Sequence, residues 1–373
     1  MSTLDEKQKN LLNAAGMPVW LKVLLGLAAF VIVVAGMKAA ASLLVPFLLA
    51  IFLAIISTPA LIWLQHVGIR PVFAIFIITL ILLAAGSFVG AILAQSLPAF
   101  AKSLPEYSSK LQENMDIFCA WLQSKGLNIE NKQILQYFKP DSAMKIVGDL
   151  LSQLGNLMTK GFLIFLTLVF ILLEASGFEV KLRNALRNPN QSLQKLSKIT
   201  RDVKMYLAVK TAISLVTGTL AAILLMIVGV DYAVFWGLLA FILNFVPNIG
   251  SILAAIPPVL LALIQLTPGS AIIVATGYLV INVSLGNFLE PRLVGQRLGL
   301  STLVVFLSLV FWGWVLGPVG MLLSVPLTMT TKIALQSNED TRWIAIILGS
   351  GPDVTKKKKT HAESQGHRVK AGG

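Results

Sequence analysis

Thirty residues from Trp236 to Gln265, WGLLAFILNFVPNIGSILAAIPPVLLALIQ, form an apolar run long enough to cross a bilayer, yet it is interrupted by Pro247, Asn248 and Gly250 and then by Pro257-Pro258. In hydrocarbon a freed backbone amide has no water to bond, so a broken helix is tolerated only where it faces protein or a water-filled cavity. The segment is therefore expected to line something. A second stretch, Ser301 to Leu335, has the same character, with breaks at Gly313, Gly317-Pro318 and Gly320, and Pro326 beyond them. GSILAAIP from Gly250 and GMLLSVP from Gly320 read as one phrase written twice. Paired interrupted segments point to a solute site between them; kinks made only for packing are the plain alternative, because Gly and Pro are common in membrane helices.

With 56% hydrophobic and 13% charged residues and a mean hydropathy of +0.81, the chain reads as an all-α polytopic membrane protein. Its net charge of +13 is concentrated in loops and tails, which is the positive-inside pattern and no nucleic-acid patch. A single cysteine, Cys119, excludes an intrachain disulfide and a cysteine metal site. His66, His361 and His367 lie in loops or the tail, so no metal site is expected. Walker A, HExxH, nucleophile-elbow and Rossmann patterns are missing, so no cofactor and no enzymatic activity are expected, and any transport is passive or driven by an ion gradient.

Along the chain, residues 1–16 read as a polar cytoplasmic leader and 17–95 as three spans, 17–36, 39–64 and 72–94. Residues 96–156, with six basic and six acidic residues, carry apolar positions at three- and four-residue steps and read as an extracytoplasmic helical subdomain. Residues 157–174 hold a fourth span. The loop 175–205 carries seven basic residues against Glu179 and Asp202, which places it in the cytoplasm. Residues 206–336 hold the fifth span, 206–229, and the sixth, 269–289, together with the broken segments 232–266 and 301–335. The tail 337–373, with Lys356 to Lys359, reads as cytoplasmic and disordered. With both termini inside and Arg292 and Arg297 cytoplasmic, the two broken segments must enter and leave from opposite faces. The expected architecture is thus about six full spans and two oppositely oriented re-entrant hairpins whose tips meet mid-membrane.

The membrane-embedded polar groups are mostly amides. Asn244 and Asn248 flank the first break; Asn282 and Asn287, five residues apart, lie on the span that follows. Together with Pro247, Gly250, Gly317, Pro318 and Gly320 they are the candidate binding and gating residues. Such a lining suits a small neutral polar solute, with interhelical hydrogen bonding as the alternative role for each Asn. Glu290 is the sole acidic residue between Asp231 and Glu339, hence a candidate ion-coupling group; an ion pair with Arg292 is the structural alternative. Lys210, one turn into the fifth span, reads as snorkelling to the interface or as a gating charge.

The phrases NFVPNIGSILAAIPP, GNFLEPRLVGQRLGLSTLVVFLSL and FWGWVLGPVGMLLSVPLT, with VPFLLAIFLAII, LPEYSSKLQ, ILQYFKPDSAM and YLAVKTAISLVTG elsewhere, resemble the motifs of the autoinducer-2 exporter family, also described as PerM-like, over nearly the whole chain. The resemblance implies a protein of the bacterial inner membrane that exports the quorum-sensing signal autoinducer-2, a small neutral polyhydroxylated molecule, and it implies a homo-oligomer, a pentamer. Some relatives are assigned Na+/H+ antiport, which makes a cation/proton antiporter using Glu290 the rival reading. A membrane scaffold with no solute path is the rival from another class.

Overall fold

The computed structural model describes residues 19–124, 160–185, 189–247, 249–294, 299–336 and 341–349. The expected leader, most of the extracytoplasmic subdomain, Asn248 and Arg297 lie outside the described residues. The described elements are helical: α1 Val19–Ala39, α2 Ala41–His66, α3 Pro71–Ser124, α4 Gly161–Ala185, α5 Pro189–Val228, α6 Ala233–Leu243, α7 Ile249–Gln265, α8 Pro268–Asn282, a π-helical turn Val283–Leu289, α9 Glu290–Val294, α10 Thr302–Leu316, α11 Pro318–Gln336 and α12 Arg342–Ile347.

Among the described residues, five stretches are long and apolar enough to cross a membrane: Ala41–His66, Pro71–Phe100, Arg201–Val228, Pro268–Leu293 and Pro318–Gln336. Val23–Ala39 and Gly161–Glu174 are shorter apolar helices. Many of their side chains point outward and are large and apolar, among them Phe30, Ile32, Phe76, Phe88, Phe162 and Ile227. In water that surface would drive aggregation; in lipid it is the expected outer coat, because a bilayer inverts the usual demand for a polar surface.

Two differences from the expected layout concern where helices stop. The composition changes at Gln95, yet α3 runs on through Pro98 and Pro105 to Ser124 without a break. The residues after Gln95 exchange apolar for polar side chains and keep the helical backbone. Within the tail expected to be disordered, residues 342–347 form α12, whose Ala345 is fully buried; that small side chain lets the short helix sit against α11.

Three buried clusters hold the bundle. One joins Leu93, Phe100 and Tyr107 of α3 to Leu225 of α5, Trp236 of α6, Leu261 of α7 and Tyr278 of α8. A second joins Val34, Val45 and Phe52 to Tyr206 and Leu207, to Phe245, and to Leu316, Val319 and Leu323. The third packs α2, α3 and α4 through Ala50, Ile78, Leu168 and neighbours. α5 is the axis shared by the first two. It meets α6 at Gly218 and Gly237, where a Cβ on either glycine would come within 2.7 Å of the other's carbonyl oxygen.

Candidate functional site

Each broken segment is a helical hairpin. In hairpin 1, α6 has 11 residues, about 16 Å, too short for a hydrocarbon core about 30 Å thick. It stops at Asn244, and the chain turns through Phe245, Val246 and Pro247 into α7. Gly250 makes the reversal possible: a Cβ there would lie 1.8 Å from the Leu243 carbonyl oxygen. Pro257 and Pro258, expected to interrupt the segment again, are buried inside α7, which continues to Gln265. The break is confined to the first site because close packing around the two rings holds the helix that their missing N–H groups weaken.

At its base the hairpin is tied shut. The Asp231 N–H donates to Gln265 Oε1 at 3.2 Å, the Gln265 amide donates to the Asp231 carboxylate and to the Tyr107 hydroxyl at 3.0 Å, and Tyr107 donates to Asp231 Oδ2 at 3.4 Å. The two ends of the segment therefore lie side by side. Tyr107 comes from the polar extension of α3, anchored by Phe100, which makes edge contacts with Tyr232 and Trp236. Burial raises the Tyr107 pKa above its ordinary 10.0, so its O–H stays a donor.

Hairpin 2 repeats the device. α10 has 15 residues, about 22 Å, and ends at Gly317, whose φ of 71° is in the left-handed region that glycine adopts at no steric cost. Pro318 starts α11, a helix-opening position that needs no N–H. Gly320 stands where Gly250 stands in the first hairpin: a Cβ would lie 1.9 Å from the Trp312 carbonyl oxygen. Gly313, expected as a break, lies within a continuous helix, as does Pro326; Gly313 makes room for Met321. Trp312 Nε1 donates to Thr328 Oγ1 at 3.0 Å across the arms. Lys332 donates to the Gly299 carbonyl at the base.

The breaks converge on α5. Phe245, from the turn of hairpin 1, shares one buried cluster with Val315, Leu316 and Val319 at the turn of hairpin 2, with Tyr206 and Leu207 between. Leu207, Lys210, Ser214, Thr217 and Ala221 form one buried stripe of α5 at helical spacing, polar in its middle. Asn244 Nδ2 donates to Ser214 Oγ at 2.9 Å, with both residues buried. One turn away, the Lys210 ammonium donates to both carboxylate oxygens of Glu290, at 2.9 and 2.8 Å. Lys210 thus does not snorkel: its side chain is 6% exposed, and that of Glu290 is 21% exposed. The partner of Glu290 is Lys210 and not Arg292, which is exposed.

Sequence spacing misses this pair because of the turn before Glu290. From Val283 to Leu289 the helix is π-helical, with i→i+5 bonds in place of i→i+4. Each residue then advances less around the axis, so the direction of Glu290 departs from a 3.6-residue extrapolation. The same turn separates two other candidates. Asn282 is half-buried, Asn287 is exposed, and neither joins the Asn244–Ser214 bond. Four buried side-chain groups elsewhere have no hydrogen-bond partner among the described residues: Thr79 Oγ1 on α3, Trp236 Nε1 and Tyr278 Oη in the first cluster, and Ser324 Oγ one turn past Gly320. Buried polar groups are nearly always paired, and the sequence marked none of the four as a site residue.

Residues 27–339 match the family model described as AI-2E family transporter. The chain is 42% identical over 328 residues to the AI-2 transport protein TqsA of Escherichia coli K12, covering 88% of this chain and 95% of that protein. It is 39% identical over 330 residues to the putative transport protein YhhT of the same organism, covering 88% and 94%. At greater distance it is 23% identical over 313 residues to the putative transport protein YrrI of Bacillus subtilis, covering 79% and 86%.

Proposed function

The chain belongs to the AI-2E family of membrane transporters, and on that premise we propose that it exports a small neutral polar signal, autoinducer-2, across the bacterial inner membrane by alternating access at the two hairpins. The observation that carries the reading is the pair of hairpins itself: each is tied at its base, each turn is built on a glycine pressed against a carbonyl, and both turns enter the cluster around Tyr206 and Leu207. Interrupted helices meeting inside a bundle leave backbone groups that a polar solute can satisfy. The lining beside them is uncharged at Asn244, Ser214 and Thr217, and the unpaired hydroxyl and indole groups of Tyr278, Ser324 and Trp236 offer further donors to a polyhydroxylated guest. In this reading Asn244, Pro247, Asn248, Gly250, Gly317, Pro318 and Gly320 form the site and its gates, both termini are cytoplasmic, and the protein works as a homo-oligomer.

A second reading rests on the Lys210–Glu290 pair. A carboxylate held against an ammonium inside the membrane is a place where proton or cation binding can be exchanged for an ion pair, so a cation/proton antiporter would use Glu290. Everted vesicles loaded with the purified protein separate the two. For the exporter, labelled autoinducer-2 accumulates along an imposed proton or sodium gradient, and Asn244→Ala or Gly320→Leu abolishes accumulation while the protein still inserts. Normal accumulation in both variants overturns the site. Gradient dissipation without solute, lost in Glu290→Gln, establishes the antiporter.

A further inference from the structure

We infer that the π-helical turn Val283–Leu289 is a register switch, held by the Lys210–Glu290 pair, that converts loss of the pair into a rotation of α9. Turns of this kind are rare and gather at functional sites, because a contact outside the turn has to hold its extra residue in place. Packing does not do so here. None of the seven side chains is buried, and nothing lies within 4 Å of a Cβ at Gly286. The residue that closes the turn is Glu290, whose N–H bonds the Leu285 carbonyl and whose carboxylate oxygens lie 2.9 and 2.8 Å from the Lys210 ammonium. A buried ammonium without a counter-charge is costly, so the pair selects the register that turns Glu290 toward α5.

Pro291 is the local rival. In a regular helix its ring would press on the Asn287 carbonyl, which is reason enough for a distorted turn. It is no reason for the distortion to aim Glu290, the sole acidic residue between Asp231 and Glu339, at the buried Lys210.

The two registers differ by one residue, about 100° of helix. When the turn closes with i→i+4 bonds, Glu290 swings off α5, and Leu289, 40% exposed, takes its direction. An apolar side chain then faces Lys210, so the registers are alternatives with no graded series between them. The uncompensated ammonium is the restoring force. α9 ends at Val294 and α10 is capped at Ser301, so the rotation reaches the base of hairpin 2 over a short length of chain. This deepens the reading in which Glu290 exchanges an ion for its pair with Lys210, and it rests on that reading for the trigger alone.

The test reads distances between spin labels by pulsed electron resonance in the full chain, with Cys119→Ser as background. One label is on Leu293→Cys of α9, and the other is on Ile227→Cys of α5 or, in a second sample, on Phe170→Cys of α4; the native side chains at all three positions are exposed. A 100° rotation carries a side chain about 8 Å around an axis of radius about 5–6 Å. Lys210→Met with Glu290→Leu removes the pair without leaving a charge buried, and should shift at least one of the two distances by several Å. Deleting Leu285 from that variant takes out the extra residue, and should restore the parent distances. Pro291→Ala alone should leave them unchanged. If the pair-free variant keeps the parent distances, or if Pro291→Ala alone shifts them, local sequence holds the turn and the switch is overturned. A shift that survives deletion of Leu285 overturns it as well, because the motion then lies outside the turn. Neither ion exchange nor solute flux is read, so failure here is distinct from failure of the antiport or export reading.

Discussion

A lysine ammonium taken from water into the middle of a helix bundle needs a counter-charge, and Lys210 has both oxygens of Glu290 within 2.9 Å. Removing one partner of such a pair leaves the other charge buried and costs about 3–5 kcal/mol, whereas replacing both with apolar groups of similar size is often neutral. Lys210→Met and Glu290→Gln should each lower the thermal midpoint of the detergent-solubilised protein markedly, and Lys210→Met with Glu290→Leu should recover most of the loss. If both single variants melt with the parent, the pair does not hold the fold. The hairpin glycines are a second test at this scale. A methyl group at Gly250 or Gly320 would sit within 2 Å of a carbonyl oxygen on the facing arm, and backbone does not yield as a flexible side chain does. Gly250→Ala and Gly320→Ala should therefore each destabilise by about 1–3 kcal/mol, the usual cost of overpacking. Gly86→Ala is the control, since nothing lies within 4 Å of a Cβ there; equal melting of all three would mean that the close approach does not exist.

The hairpins are the elements that the sequence announces most clearly, because two long apolar runs are interrupted at corresponding places and carry one phrase twice, from Gly250 and from Gly320. The contacts that close them are not announced. Tyr107 lies 124 residues from the Asp231 it bonds, and no periodicity links a polar helix extension to the foot of a broken span. The Lys210–Glu290 contact was illegible for a different reason: a π-helical turn of seven residues resets the direction of Glu290, while sequence proximity favours Arg292 and the long stem of Lys210 suggests an interfacial position. Proline is the reverse case, since Pro257 and Pro258 read as breaks and are carried inside a helix by packing. The closure at the foot of hairpin 1 can be tested alone. In a Cys119→Ser background with Thr217→Cys as reporter, Tyr107→Phe or Gln265→Leu should raise labelling by a membrane-impermeant maleimide from the Asp231 side several-fold. Unchanged labelling in both would make the cluster a static brace. The pH dependence has a fixed sign. Burial raises the Tyr107 pKa above 10.0, so the folded state retains the proton longer than the unfolded chain does. Its contribution is complete below pH 10 and is lost as pH rises through the elevated value, so labelling should increase only in strong alkali.

At the scale of the whole molecule, the proposed alternating-access mechanism assigns two contacts as closures. On the side of Asp231, Tyr107 and Gln265 seal the foot of hairpin 1. About 27 Å along α5 from Val228, by helical rise, Lys210 and Glu290 are paired, beside the cluster that holds the turn of hairpin 2. Alternating access requires that these closures never open together, and the energy that keeps one shut while the other opens is what couples solute to a gradient. Weakening one closure should bias the protein toward one face and slow exchange, while leaving whatever flux persists dependent on the gradient. Weakening both, with Gln265→Leu and Glu290→Gln in one chain, should uncouple it: autoinducer-2 would equilibrate across proteoliposomes at the same rate with or without an imposed gradient. A gradient-independent flux already present in the parent would instead describe a channel, in which the two closures are parts of one barrier and the double variant only conducts faster. The parent and the double variant, measured side by side, distinguish a pair of alternating gates from a single pore.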